Sequence, residues 1–369
     1  MSSLFPLVIT LFFSMVHYLG YTRIVRHLHI KPHTRTALIF FLILNMGGII
    51  GYLLSRYLLS PPKVIYFILS LSIGIGFILF MAIIVYEILH LLQRNLPFNP
   101  EKRIFFKRVT DIGFLGFGSA YLTASLLEGS KEPTVEFVDV NQNRFGGKSY
   151  RIVQISDMHI GGLIDKDFVA KSVSMINHLN PDIVTITGDL TDAHIDVIKD
   201  AVSELRHLKS RYGTFYVVGN HEYFHSLETT VDYVKTLGIH VLENSAVKID
   251  DFYIVGVYDL FGFRTQTYLP DIGHAIKNIP ADAPTLLLAH QPKYVEYLEG
   301  FAPSLILSGH THGGQVWPFH YLVDLAQPYL KGLYPLKENR HIYVNSGIGF
   351  WGPPMRLGSN AEITCITWS

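Results

Sequence analysis

Long apolar runs fill the first third of the chain, and short ones alternate with polar stretches thereafter. Three runs, at about residues 4–21, 37–54 and 64–92, are each long enough to span a bilayer. Roughly 20 apolar residues rising ~1.5 Å apiece cover a hydrocarbon core about 30 Å thick. A fourth run, at about 112–127, is shorter and richer in Gly, Ser and Thr. The pattern therefore predicts three or four transmembrane helices over residues 1–128. Glu87 lies inside the third run, and no acid, lysine or arginine in the other runs offers it a partner. It is read as lying near a helix end or facing a neighbouring helix. The first run has no positive residues before it, so it reads as a retained helix rather than a cleaved signal peptide. The polar stretch 129–149 reads as a linker with turn residues.

The segments joining the runs carry a topology signal. Arg23, Arg26, Lys31 and Arg35 lie between the first and second runs, and Arg94, Lys102, Arg103, Lys107 and Arg108 between the third and fourth. Only Arg56 and Lys63 lie between the second and third. Positive segments stay in the cytoplasm. With the fourth run crossing, the remainder of the chain is expected outside the cytoplasm; without it, inside. Four helices are too few for a transporter built of inverted repeats, so an anchor is expected.

From residue 150 the period changes. Residues 150–155, 183–187, 214–218, 239–242, 252–257, 285–289 and 305–308 are short runs of β-formers. Between them, 168–180, 195–209 and 230–237 show helical spacing. Short, almost wholly apolar strands alternating with helices predict an α/β domain over residues 150–369, its sheet buried on both faces.

Composition sharpens this reading. The chain is 49% hydrophobic and only 16% charged, against about a quarter charged in soluble proteins, as expected where a third of it is membrane. Cys365 is the single cysteine, which excludes an intrachain disulfide. Lys+Arg and Asp+Glu both total 30. With no basic excess, nucleic acid is not an expected partner. Membrane lipids and a phosphorylated substrate are, and the oligomeric state is left open.

The candidate chemistry lies where strands end. Asp157 and His159 follow the first β-run, Asp189 the second, Asn220 and His221 the third, His290 the sixth, and His310 and His312 the seventh. Ligands gather at the carboxyl ends of strands in open α/β sheets, where distant loops converge. Each of these residues alone is an ordinary turn or cap residue. Together they form a set of oxygen and imidazole donors without thiolate, which suits two divalent ions such as Mn, Fe or Zn.

The blocks Asp157-Met158-His159, Gly188-Asp189, Gly219-Asn220-His221-Glu222, His290 and Gly309-His310-Thr311-His312 resemble, in this order, the signature of the calcineurin-like metallophosphoesterase superfamily. Gly313-Gly314-Gln315, Tyr343 to Gly347 and Pro353-Pro354-Met355-Arg356 are similar to its membrane-anchored branch. The resemblance covers about residues 150–369. It implies an α/β/β/α sandwich with a di-metal site behind the N-terminal transmembrane helices. It further implies that Asp157, His159 and His312 hold one metal, that Asn220, His290 and His310 hold the other, and that Asp189 bridges them. Water activated between the ions would attack phosphorus in line, and His221 would protonate the leaving oxygen.

Neighbouring residues keep two readings each at this stage. Asp192 reads first as a helix cap and second as a support for the ligands. Glu222 orients His221 or is a structural acid. Arg356 contacts a substrate phosphate or makes an ion pair. His194 and His225 are surface residues or pocket residues. The aromatic stretch 316–334 is core packing or a lid at the membrane interface. The expected function is a membrane-anchored phosphoesterase acting on a phosphate ester or pyrophosphate, with a lipid-linked substrate suggested by the anchor. The alternative is a module that binds a phosphorylated ligand without turnover.

Overall fold

The computed structural model describes residues 4–28, 30–57, 61–94 and 100–369. The chain divides into two compact units, residues 1–130 with Gly352–Met355, and residues 131–351 with 356–369.

The first unit contains α1 (Leu4–Leu19), α2 (Pro32–Tyr57), α3 (Lys63–Arg94) and α4 (Pro100–Gly129). Among the described residues three helices are long and apolar enough to cross a membrane, over Pro6–His27, Pro32–Arg56 and Lys63–Leu92. The first of them continues α1 through a π-helical stretch, Gly20–Ile24, and a 3-10 turn to His27. The fourth run of the sequence falls in α4, whose first turns are charged. Phe13, Ile49, Tyr52 and Leu53 form the centre of the helical packing. A polar link sits among them: Asn45 Nδ2 is 3.0 Å from His17 Nε2 and donates to the Ser72 carbonyl at 3.2 Å. Arg23 Nε lies 3.5 Å from Glu87 Oε1. In the sequence Arg23 stands between the apolar runs, and the helical continuation beyond Leu19 brings it within reach of Glu87.

The second unit contains β1 (Thr134–Val140), β2 (Tyr150–Ile155), α5 (Lys166–His178), β3 (Ile183–Thr187), α6 (Ile195–Val202), β4 (Thr214–Val217), α7 (Leu227–Thr236), β5 (His240–Val241) and β6 (Ser245–Ile249). It continues with β7 (Phe252–Gly256), α8 (Phe261–Thr265), α9 (Ile272–Ile276), β8 (Thr285–Leu288), β9 (Leu305–Ser308), α10 (His320–Ala326), β10 (Gly332–Pro335), β11 (His341–Val344) and β12 (Glu362–Trp368). One six-stranded sheet has the order β1-β12-β2-β3-β4-β5 and the other β10-β11-β9-β8-β7-β6. Both are mixed. In the first, β2 to β5 run parallel and β12 is antiparallel to β2; in the second, β7, β8, β9 and β11 run parallel.

Alternation along the strands builds the layers, because successive side chains point to opposite faces. Ile152, Ile183, Phe215, Leu286, Leu288, Leu305, Leu307, Ile366 and Trp368 pack between the two sheets. Val153, Ile155, Val184, Ile186 and Tyr216 turn the other way, against Val169, Val173 and Ile176 of α5, Ile195 and Ile198 of α6 and Val231 and Val234 of α7. On the far side, Val255, Leu287, Ile306 and Ile342 pack against Ile272 and Ala275 of α9. Both faces of each sheet are thus covered, which is why the central strands read as continuous apolar runs. The result is the four-layer α/β/β/α sandwich.

The stretch 129–149, expected as linker, contains β1. This strand pairs in parallel with β12 from Thr134↔Glu362 to Val140↔Trp368. It carries Glu136 and Asp139 and is mostly solvent-facing, so its sequence lacks the apolar density of the central strands. The helix expected at 195–209 ends as α6 at Val202 and continues as a 3-10 turn, Ser203–His207.

Candidate metal centre

Five parallel strands deliver the polar residues. Asp157 and His159 follow β2, Asp189 follows β3, Asn220 and His221 follow β4, His290 follows β8, and His310 and His312 follow β9. The loops are stitched together by their backbones. Asp157 N donates to Gly188 O at 3.0 Å, His159 N to Asp189 O at 3.0 Å, and Gly309 N to His290 O at 2.9 Å. Two glycines permit this closeness. A Cβ on Gly309 would strike Ser156 and the Asp157 carboxylate, and one on Gly219 would strike Asp189.

The backbones of five of these candidate residues are unusual. Asp157 (φ 53°), His159 (52°), Asp189 (49°), His310 (70°) and His312 (50°) all lie in the left-handed region. Residues other than glycine enter it rarely, at a cost of order 1–3 kcal/mol each, and such strain clusters at functional sites.

Besides a cluster of His159, Asp192 and His221, two side-chain groups of possible metal donors form. Asp157, His159 and His312 make one: His312 Nε2 is 3.4 Å from Asp157 Oδ1 and 3.0 Å from His159 Nε2. Asp189, His290 and His310 make the other: His290 Nε2 is 3.3 Å from Asp189 Oδ2 and 3.3 Å from His310 Nδ1. Asn220 joins the second group, its Oδ1 3.2 Å from His290 Nε2. Asp189 Oδ2 lies 3.9 Å from His159 Nε2, so this carboxylate reaches both groups. All seven residues named as ligands on sequence grounds are therefore brought together, with His221 beside them; its Nε2 is 3.8 Å from Asp189 Oδ2.

The donor set fits divalent cations. Imidazole nitrogens and carboxylate oxygens converge at two foci, and no thiolate is among them. Outer hydrogen bonds aim the donors. His290 Nδ1 faces the Thr187 carbonyl at 2.8 Å, which directs Nε2 inward, and His310 N donates to the Asp157 carboxylate at 2.9 Å. Burial, followed by the positive field of His290, pushes the His310 pKa down to about 3. Burial and the neighbouring His159 and Arg356 likewise hold His312 well below the ordinary range. Both are neutral rings with lone pairs to offer. Burial opposes ionisation of Asp189, yet His290, His221 and His159 together hold its carboxyl well below the usual range.

Three surrounding residues resolve the double readings. Asp192 does not cap α6; His194 does, its Nδ1 accepting from Asp196 N. Instead Asp192 Oδ1 lies 2.5 Å from His221 Nδ1 and 3.4 Å from His159 Nδ1. Glu222 does not orient His221. It is fully buried and accepts from the N–H groups of Gly219 (2.7 Å), Thr191 (3.0 Å) and Asp189 (3.2 Å), tying the β3 and β4 loops together. Burial and the Asp189 charge raise its pKa to about 7.

Arg356 is 1% exposed and donates to the carbonyls of Ser346, Gly347, Gly349, Ser359 and Asn360. Its Nη2 lies 3.5 Å from His312 Nδ1. It therefore braces the loops around the first group and is shielded from any substrate. Sequence reasoning missed Asp259 altogether. This buried acid follows β7, accepts from Phe261 N at 2.8 Å and Gln291 Nε2 at 2.9 Å, and has its pKa raised to about 6, chiefly by burial. Its signal was available: it too ends a β-run.

Comparison with known proteins agrees with this geometry. A family model described as calcineurin-like phosphoesterase matches residues 150–314. An uncharacterized metallophosphoesterase of Helicobacter pylori is 35% identical over 353 residues, covering 95% of each chain. One from Campylobacter jejuni is 30% identical, covering 98% of this chain and 97% of its own. The transmembrane protein with metallophosphoesterase domain of Bos taurus is 37% identical over 256 residues, 65% of this chain and 58% of its own length. With candidate metal donors converging from five strand ends and relatives that match over 95% or more of its length, the chain belongs to the calcineurin-like phosphoesterase family of metal-dependent phosphoric ester hydrolases.

Proposed function

We propose that the chain is a multi-pass membrane phosphoesterase using two divalent cations, Mn, Fe or Zn, to hydrolyse a phosphate ester or pyrophosphate. The carrying observation is the position of Asp189, whose Oδ2 reaches His159 of one group and His290 of the other. In this reading Asp157, His159 and His312 would hold one cation, Asn220, His290 and His310 would hold the second, and Asp189 would serve both. When bound, the pair supplies neutralisation of phosphate charge and a water acidic enough (pKa near ~7) to serve as nucleophile.

The protein's own groups do the rest. His221 stands outside both ligand sets and protonates the leaving oxygen from Nε2. The Asp192 carboxylate, at 2.5 Å from Nδ1, fixes the orientation of the ring. Such general acid catalysis is worth ~10²–10⁴-fold. Asn220 contributes a neutral oxygen, which leaves the site net positive toward an anion.

A lipid-linked substrate is supported by the apolar helices of the same chain. An extracytoplasmic active site requires α4 to cross as a fourth span, with the arginines and lysines of the first and third connecting segments holding those segments in the cytoplasm.

The test uses the full-length protein in detergent with p-nitrophenyl phosphate and bis-p-nitrophenyl phosphate. Hydrolysis should depend on added Mn, Fe or Zn, and Asp189→Asn should abolish it and lower the bound metal below that of wild type. Equal activity in the variant overturns the mechanism, and tight phosphate binding without turnover favours a binding module. An alkaline-phosphatase-type reporter fused after Ser130 should be active; inactivity reverses the sidedness.

A further inference from the structure

The segment between the last ligand loop and β10 has no place in the chemistry. Residues 316–330 carry Trp317, Phe319, Tyr321, Leu322, Leu325 and Tyr329 with a single charged residue, Asp324. Core packing would account for such a composition, but α10, at its centre, has no buried residue. Trp317 is 49% exposed, Tyr321 61%, Leu322 51% and Leu325 85%. The cluster combines aliphatic side chains with tryptophan and tyrosine, whose rings are apolar with one polar edge. Those residues settle at the boundary between acyl chains and headgroups. Adjacent exposed apolar residues on a protein surface mark an interaction site.

Both ends of this segment are fixed to the metal centre. At its start Trp317 N donates to Leu357 O at 2.8 Å, and at its end Leu330 O accepts from Thr311 Oγ1, between His310 and His312, at 2.6 Å. At the end of α10, Gln327 Nε2 donates to Gln291 Oε1 at 3.2 Å, and Gln327 Oε1 accepts from Lys293 N at 3.0 Å. Gln291 follows the ligand His290 directly. The exposed apolar tip thus hangs from the loops that carry His290, His310 and His312.

We infer that this tip, Trp317 with Tyr321, Leu322 and Leu325, docks into the headgroup–acyl boundary of the bilayer that the chain's own apolar helices cross. The occupant is lipid because helices over Pro6–His27, Pro32–Arg56 and Lys63–Leu92 place the chain at a membrane. The side-chain set is that of an interfacial element, and the nearly uncharged surface carries no electrostatic barrier to burial. Docking there sets the metal centre against the headgroup plane. The inference rests on membrane spanning and not on turnover, so it stands or falls apart from the hydrolytic reading.

The experiment uses full-length protein in vesicles of phosphatidylethanolamine and phosphatidylglycerol. Leu325→Cys and, separately, Leu322→Cys are labelled with the environment-sensitive fluorophore NBD; the native Cys365 is buried. Val197→Cys, an exposed apolar position on α6, is the comparison. Labels at 325 and 322 should emit to the blue of the label at 197. Lipids carrying a doxyl group at acyl carbon 5 should quench them several-fold more than aqueous iodide does. Emission and iodide quenching equal to position 197 would overturn the inference. Protection from both quenchers would also overturn it, since it would mean that protein covers the tip.

Discussion

Asp192 Oδ1 sits 2.5 Å from His221 Nδ1 and also 3.4 Å from His159 Nδ1, so one carboxylate supports a candidate proton donor and a candidate metal ligand. Replacing it by Asn keeps the shape and removes the charge. Asp192→Asn should lower kcat by about 10–10²-fold with little change in KM, since the proton-donating ring loses the carboxylate that orients it. The loss should be larger for alkyl phosphate esters than for p-nitrophenyl phosphate, because a poor leaving group needs the proton more. A uniform loss on both substrates would assign Asp192 to His159 alone.

Glu222 gathers three backbone N–H groups from two loops. Glu222→Gln leaves one carbonyl oxygen for donors that two carboxylate oxygens now serve, and it brings an amide toward N–H groups. Each unsatisfied buried donor costs about 1–3 kcal/mol. The variant should melt several degrees below wild type and bind Mn more weakly by calorimetry, with no change in the leaving-group dependence that marks His221.

Arg356 donates to five carbonyls in the loops around Asp157 and His312. Arg356→Met should cost on the order of 3–5 kcal/mol, the penalty of stranding buried polar groups. Arg356→Lys should recover part of it, since an ammonium has three donors where a guanidinium has five. Both effects should appear in denaturant midpoints. A raised KM at unchanged stability would return this residue to substrate contact.

Removing metal should destabilise the whole domain. The site gathers carboxylates and imidazoles from five loops, five of them on left-handed backbone. A ligand at about 1,000 times its dissociation constant adds about 4 kcal/mol to folded-state stability. A chelator should therefore lower the melting temperature of full-length protein markedly, and Mn or Zn should restore it. An unchanged melting temperature would mean that the centre binds no ion of consequence.

Much of this was legible in the sequence, for physical reasons that also explain the rest. Ile183–Thr187 and Leu305–Ser308 coincide with β3 and β9 because both faces of those strands are buried and every residue is apolar or small. The polar residues after them stand out against that background. β1 does not stand out, since Glu136 and Asp139 face solvent and its partner β12 is remote in sequence. The short β5, only His240–Val241, was read as longer because Ile239 and Leu242 are apolar for packing and not for pairing.

The supporting groups were less accessible. Asp192, Glu222 and Arg356 act through distances between loops, and a residue type that caps, pairs or contacts substrate equally well declares none of these locally. The left-handed backbone at Asp157, His159, Asp189, His310 and His312 has no sequence sign either, since Asp and His adopt ordinary conformations more often.

The place of β12 bears on how the domain is born. It lies between β1 and β2, which leave the ribosome well before it. Until Glu362–Trp368 emerges, those two early strands have an open slot between them and Trp368 is missing from the layer between the sheets. Joining segments so distant along the chain is slow, because closure entropy is spent before contacts form. The nascent domain therefore waits with exposed strand edges until its last strand is in place.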